Sequence, residues 1–164
     1  MKKAIFVFTR DLRLYDNKTL YKSLLDNDHV LPIFIFNPEQ VDNNKYKSEK
    51  CIKFMCESLD DLDNDLRNYN SKLTYFYGKH SEIIDKILKN DKHIDGIYMN
   101  KDYSPYAKKR EELIKKISEN NNIKFCSEHD YFLIAPYVRN KENETYVKFT
   151  PFYKKAKNFY LYKK

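Results

Sequence analysis

A chain of 164 residues that is 41% hydrophobic and 16% aromatic carries enough large apolar side chains for one core, which excludes an intrinsically disordered chain. The net charge of +7 favours polyanions or an acidic partner, the bland alternative being lysines that merely solvate helix faces. No apolar run approaches the length of a membrane span, and Met1-Lys2-Lys3 leads into a β-like run with no cleavage site after it; no membrane partner and a cytoplasmic or nuclear location are therefore expected.

Ala4 to Phe8 is a continuous apolar run, the pattern of a strand covered on both faces in a parallel sheet. Asp16 or Asn17 is a helix cap, with Leu20, Leu24 and Leu25 as the apolar side of the helix that follows. Val30 to Phe36 reads as a second strand, ended by Asn37-Pro38. From Ser48 a long helix is predicted, its stripe formed by Cys51, Ile52, Met55, Leu59, Leu62, Leu66 and Tyr69 at steps of three and four. Leu73 to Tyr77 is a third strand, Gly78 a turn, and Ser81 the cap of a helix with Ile83, Ile84, Ile87 and Leu88 inward. Gly96 to Met99 is the fourth strand, and Ser104 to Ser118 contains a helix with Leu113, Ile114 and Ile117 apolar. Ile123 to Cys126 is the fifth strand. The alternation predicts an α/β fold: a Rossmann-like, three-layer αβα single domain with a five-stranded parallel sheet. Right-handed crossovers gather the loops after Phe8, Phe36, Tyr77, Met99 and Cys126 on one sheet edge, where ligands of open α/β folds bind.

The loop Thr9 to Asn17 has no glycine, so it cannot cradle a diphosphate as a dinucleotide fingerprint does. Its Arg10, Asp11, Arg13 and Asp16 predict an ion-pair network that fixes the loop, with one guanidinium left for a ligand. Cys51, Cys56 and Cys126 are expected as reduced structural thiols, and His29, His80, His93 and His129, scattered among polar residues, as surface histidines without a metal.

The segment FTRDLRLYDN from Phe8 to Asn17 resembles the opening signature of the DNA photolyase and cryptochrome family. The likeness continues through FIFNPEQ at Phe34 to Gln40, the leucines Leu59, Leu62 and Leu66, and Gly78 in a strand-to-helix turn. It extends to YMNKDYSPYAKKRE at Tyr98 to Glu111, similar to an N-x-D-Y-x-P-Y-x-x-x-R-D segment. Tyr146 to Lys155 resembles the stretch that closes that family's amino-terminal domain. The resemblance implies an antenna domain over residues 1–150 and, over 151–164, a basic aromatic tail that starts a linker to an absent FAD domain.

It further implies a light-harvesting chromophore at the sheet edge: a deazaflavin, a reduced folate or a flavin. FAD itself would be held only by a partner helical domain, separately encoded or missing, and DNA would be met through the complete enzyme. Asp102, Tyr106 and Arg110, with Pro105 stiffening the turn, would present a carboxylate, a phenol and a guanidinium. Phe36 and Asn37 would add a ring face and an amide, and Arg10 a further cation. Ser81 departs from the family's usual proline. Tyr106-Ala107 stands where folate-binding members often carry an amide and an acid, which leaves a deazaflavin or flavin more open. No tryptophan occurs, and blue-light DNA repair by this chain alone is not expected.

A second reading is a basic nucleic-acid-binding module without chromophore. Its platform would be Phe149, Phe152, Tyr153, Phe159, Tyr160 and Tyr162, interleaved with Lys154, Lys155, Lys157, Lys163 and Lys164. On the antenna-domain reading the same aromatics dock on a partner domain or fold back onto the sheet.

Overall fold

Two interleaved sets of side chains along the first strand divide the molecule into its layers. Strand β1 (Lys3–Phe8) points Ala4, Phe6 and Phe8 to one face of the sheet, and Ile5 and Val7 to the other. Because both faces are covered, the strand has no polar alternation, which is why its sequence reads as an unbroken apolar run. The computed structural model describes residues 1–132 and 138–159. It contains two compact units, 1–130 and 131–164.

In the first unit β1 is followed by α1 (Lys18–Asp26), β2 (His29–Phe36), the short α2 (Pro38–Val41) and α3 (Glu49–Arg67). Next come β3 (Thr74–Tyr77), α4 (His80–Asn90), β4 (Ile94–Asn100), α5 (Pro105–Asn120) and β5 (Lys124–Glu128). All five strands are parallel in the order β3-β2-β1-β4-β5. Leu20 of α1 and Leu59, Leu62 and Leu66 of α3 pack with Phe6 and Phe8. Ile84 and Leu88 of α4 and Ile114 of α5 pack with Ile5 and Val7. The result is a three-layer αβα domain, each buried leucine, isoleucine or phenylalanine contributing roughly 1.5–3 kcal/mol. The strand order reverses at β1, so the crevice beyond the carboxyl ends of β1 and β4 is the topological switch point.

Several sequence expectations change in three dimensions. Asn17 caps α1, its side chain accepting from the amide of Leu20, while Asp16 takes a positive φ of 49°. Leu24 and Leu25 do not face the core and are 57% and 67% exposed. Helix α1 instead buries the small residues Thr19 and Ser23 beside Leu20, and one helical step carries the following leucines out to the surface. The α3 stripe also splits. Leu59, Leu62 and Leu66 are core, Cys51 and Tyr69 are exposed, and Ile52 and Met55 are only half-buried. Ser81 is not a cap; α4 begins at His80 with Lys79 in the cap position. On α5 the buried face is Ala107, Arg110, Ile114 and Ser118, while Leu113 is 41% exposed.

The second unit contains α6 (Phe149–Ala156) and a 3₁₀ turn at Lys157–Phe159. Phe149 and Tyr153 stack at 5.8 Å on an exposed helix face, and Lys155 Nζ donates to the carbonyl of Arg139 at 2.6 Å. Tyr160, Tyr162, Lys163 and Lys164, named in the sequence reading of the tail, lie outside the described residues, and so does the side chain of Phe159. Among the described residues no helix is long and apolar enough to cross a membrane.

Candidate functional site

The loop after β1 is fixed by a buried carboxylate that accepts from neutral donors. Asp11, 1% exposed, accepts from the Thr9 amide at 3.0 Å, from Thr9 Oγ1 at 3.2 Å and from Asn100 Nδ2 at 2.6 Å. Asn17 Nδ2 adds a longer contact at 3.4 Å, and Asn100 Nδ2 also donates to Asn17 Oδ1 at 2.8 Å. Asn100, at the end of β4 and fully buried, thereby ties the β1 loop to the adjacent strand across the switch point. Sequence reasoning expected ion pairs within this loop. The arginines instead reach distant acids: Arg13 pairs with Asp130, and Arg10 lies 3.7 Å from Asp102. The side chain of Arg10 is 71% exposed, so the pair contributes little stability.

Beside this clamp a cleft of about 280 Å³ opens at the carboxyl ends of β1 and β2. Arg10, Phe36, Asn37, Asp102 and Arg110, five of the seven residues chosen from sequence, line it, together with His80. Its remaining walls come from the first turns of α3, through Cys51, Ile52 and Met55, and from the α2 segment with Gln40, Val41, Asn44 and Tyr46. The divided stripe of α3 now has its reason: the amino-terminal turns face this opening while the later turns cover the sheet. The combination of an aromatic face, aliphatic and thioether groups and a few polar atoms matches the composition of small-molecule sites.

Tyr106 lines a second cleft of about 370 Å³, shared between the starts of α4 and α5. Asn37, His80 and Arg110 border both clefts. Asn37 Nδ2 donates to the Tyr106 hydroxyl, and the Arg110 guanidinium stands 5.8 Å from the centre of the Tyr106 ring. Phe36 and Tyr106 are therefore neighbours through Asn37. The Asn37 amide is largely committed within the protein, because its Oδ1 also accepts from the Glu39 amide at 3.1 Å and starts α2. Asp102 Oδ1 likewise accepts from the amides of Tyr103 and Ser104, at 2.6 and 3.2 Å. Pro105 lines neither cleft; it occupies the first position of α5, where its fixed φ suits the helix and no donor is lost, after Ser104 Oγ has accepted from the Ala107 amide.

His80 was expected at the surface and is 6% exposed. Its Nδ1 has no hydrogen-bond partner among the described residues. Burial first, and then the Arg110 guanidinium, push its pKa down from 6.5 to about 3, so the imidazole is neutral at pH 7. A signal for it was present in the sequence: His80, Ile84 and Leu88 recur at steps of four, which puts the ring on the apolar stripe of α4 once the helix is started one residue earlier. Asn100 was also missed, because a lone asparagine at a strand end has no periodicity to mark it.

Comparison with known proteins gives consistent relatives. The family model for DNA photolyase matches residues 4–163. The deoxyribodipyrimidine photo-lyase of Buchnera aphidicola subsp. Acyrthosiphon pisum is 31% identical over 164 residues, covering 95% of this chain and 33% of the relative. Cryptochrome-2 of Gallus gallus is 27% identical over 157 residues, covering 90% of this chain and 26% of the relative. Among solved structures, the archaeal photolyase from Sulfolobus tokodaii, described with two FAD molecules and a novel light-harvesting cofactor, superposes with a TM-score of 0.85 at 38% identity. That match covers 95% of this chain and 35% of the other. The chain thus spans about a quarter to a third of the length of these relatives.

Proposed function

The chain belongs to the DNA photolyase family, as the amino-terminal α/β domain of photolyases and cryptochromes, and from that premise we propose that it holds a light-harvesting chromophore in the cleft beside the switch point. The observation that carries the reading is the convergence of Phe36, Asn37, Asp102 and Arg110, with Arg10 at the rim, around one opening at the strand ends. Phe36, Ile52 and Met55 supply polarizable surface for a flat ring, while Asp102 Oδ2, the Arg10 guanidinium and the buried His80 ring supply polar partners for its edge. When bound, the pigment would absorb near-ultraviolet or blue light and pass excitation to FAD in a partner helical domain. The residues of this chain bind and orient it and shield it from water; they perform no bond chemistry.

A flavin-type pigment is favoured over reduced folate. The Sulfolobus tokodaii relative is described with a second FAD, and Tyr106 occupies a position where folate-binding members often carry an amide. The complete assembly would act in DNA repair or photoreception inside the cell, with DNA met only through it. The exposed Phe149 and Tyr153 face of α6 is proposed to dock on the FAD domain. The alternative of a chromophore-free nucleic-acid-binding module is not favoured by these relatives.

The test is spectroscopic. Protein incubated separately with FAD, FMN, a deazaflavin and a reduced folate is expected to retain one of them through gel filtration, with a shifted near-ultraviolet or blue absorption band. If none of the four is retained or shifted, the antenna reading is wrong.

A further inference from the structure

Helix α3 carries its exposed charges against its own dipole. The amino end of a helix favours acids and the carboxyl end favours bases, and Glu49 and Arg67 comply. The exposed side chains between them run the other way: Lys50 and Lys53 lie in the first turns, with Lys47 just before the helix, and Glu57, Asp61 and Asp65 follow. Glu57, Asp61 and Asp65 also succeed one another at steps of four, and like charges at that spacing destabilise an isolated helix. Lys53 stands 3.8 Å from Glu57, in a pair that is exposed on both sides. Among the described residues Lys47, Lys50, Asp61 and Asp65 form no salt bridge. Between the basic and acidic blocks stands Phe54, 71% exposed, while Leu59, Leu62 and Leu66 pack the other side of α3 on the sheet. A ring left in water, at the centre of a charge pattern that weakens the helix carrying it, is not accounted for by the fold of one chain.

We propose that the outer face of α3 pairs with the same face of a second copy of this chain, antiparallel, about a two-fold axis at Phe54. The occupant follows from the order of the charges. A two-fold axis perpendicular to the helix reverses its direction, so each basic block lies on the acidic block of the other copy. Lys50 stands about one turn before Phe54 and Glu57 about one turn after it, with Lys47 and Asp61 about a further turn out on either side. Lys50 then meets Glu57 of the second copy, Lys47 meets Asp61, each pair is made twice, and the two Phe54 rings cover one another at the axis. Positions 50, 54, 57 and 61 recur at alternating steps of four and three, the spacing of a seam between two helices. A parallel arrangement would set lysines on lysines and acids on acids. The contact of two helices is smaller than a standard interface, and the net charge of +7 on each copy opposes it at long range, so the dimer is weak and reversible.

The experiment is sedimentation velocity on the full chain over a series of protein concentrations at one ionic strength. It compares wild type, Lys50→Glu/Lys53→Glu, Glu57→Lys/Asp61→Lys, Phe54→Ser and an equimolar mixture of the two charge-reversed proteins. Far-UV circular dichroism checks that each is folded, as expected of substitutions at exposed positions. Wild type is expected to show a concentration-dependent equilibrium between monomer and dimer, and each charge-reversed protein alone to stay monomeric. Phe54→Ser is expected to weaken the dimer at least about tenfold. The mixture is expected to dimerise more tightly than wild type, because a mainly acidic face then meets a mainly basic one. Lys50→Glu/Lys53→Glu separates this pairing from general charge effects: each reversal removes two units from the net charge of +7, which by itself favours association. A wild type that stays monomeric throughout the series would overturn the proposal. So would a dimer that survives either charge reversal, or a mixture that associates no better than its components.

Discussion

Lowering the pH from 7 to 5 is expected to remove about 2 kcal/mol of unfolding free energy through His80 alone. In the folded chain burial and Arg110 hold its pKa at about 3, against 6.5 for the ordinary imidazole. Between those two values the unfolded state binds the proton and the folded state does not, so stability rises with pH at about 1.4 kcal/mol per unit. The contribution is fully present above pH 6.5 and is lost progressively down to pH 3, a total of roughly 5 kcal/mol. Urea unfolding of wild type and His80→Gln at both pH values isolates the effect, because the surface carboxylates titrate alike in the two proteins and cancel. Wild type should lose about 2 kcal/mol more than the variant. An independent readout is imidazole NMR, in which the His80 resonance should not titrate between pH 7.5 and 5. Equal losses in the two proteins, together with a His80 resonance that titrates near pH 6.5, would refute the reasoning.

Asp11→Ala removes the acceptor of Thr9, Asn17 and Asn100 donors and should cost about 3 kcal/mol, a fall in Tm of roughly 6–12 °C by calorimetry; an unchanged Tm would contradict the clamp at the switch point. Gly78→Ala forces a side chain onto φ +147° with its Cβ 3.2 Å from Ile83 Cδ1, and the urea midpoint should drop by the equivalent of about 1–3 kcal/mol. Tyr106→Phe takes away the oxygen that receives Asn37 Nδ2, and pigment affinity measured by fluorescence should fall roughly five- to tenfold, about 1 kcal/mol, with little change in fold stability. Phe149→Ser/Tyr153→Ser should abolish co-elution with a cognate FAD domain in gel filtration while leaving the Tm of the isolated chain within about 1 °C, since both rings are already in water.

The amino-acid sequence by itself determined the alternation of strands and helices. Both-face burial makes β1 and the carboxyl halves of β2 and β4 continuous apolar runs, and leucines at three- and four-residue steps mark α3, both features local to a single element. Parallel order and right-handed crossover then bring the strand ends to one edge whatever the loops contain. Only the tertiary structure decided what each stripe faces. Ile52 and Met55 have the same helical phase as Leu59 and Leu62, yet they also line an opening, because their direction is set by periodicity and their surroundings by a neighbouring element. For the same reason Arg110 is buried and Leu113 is not. His80 was read as polar by type although it lies in phase with Ile84 and Leu88. The Asn37 to Tyr106 bond, between residues 69 positions apart, also had no trace in either segment alone. Backbone geometry fixes where a side chain points within its own element; the packing of distant elements fixes what it meets.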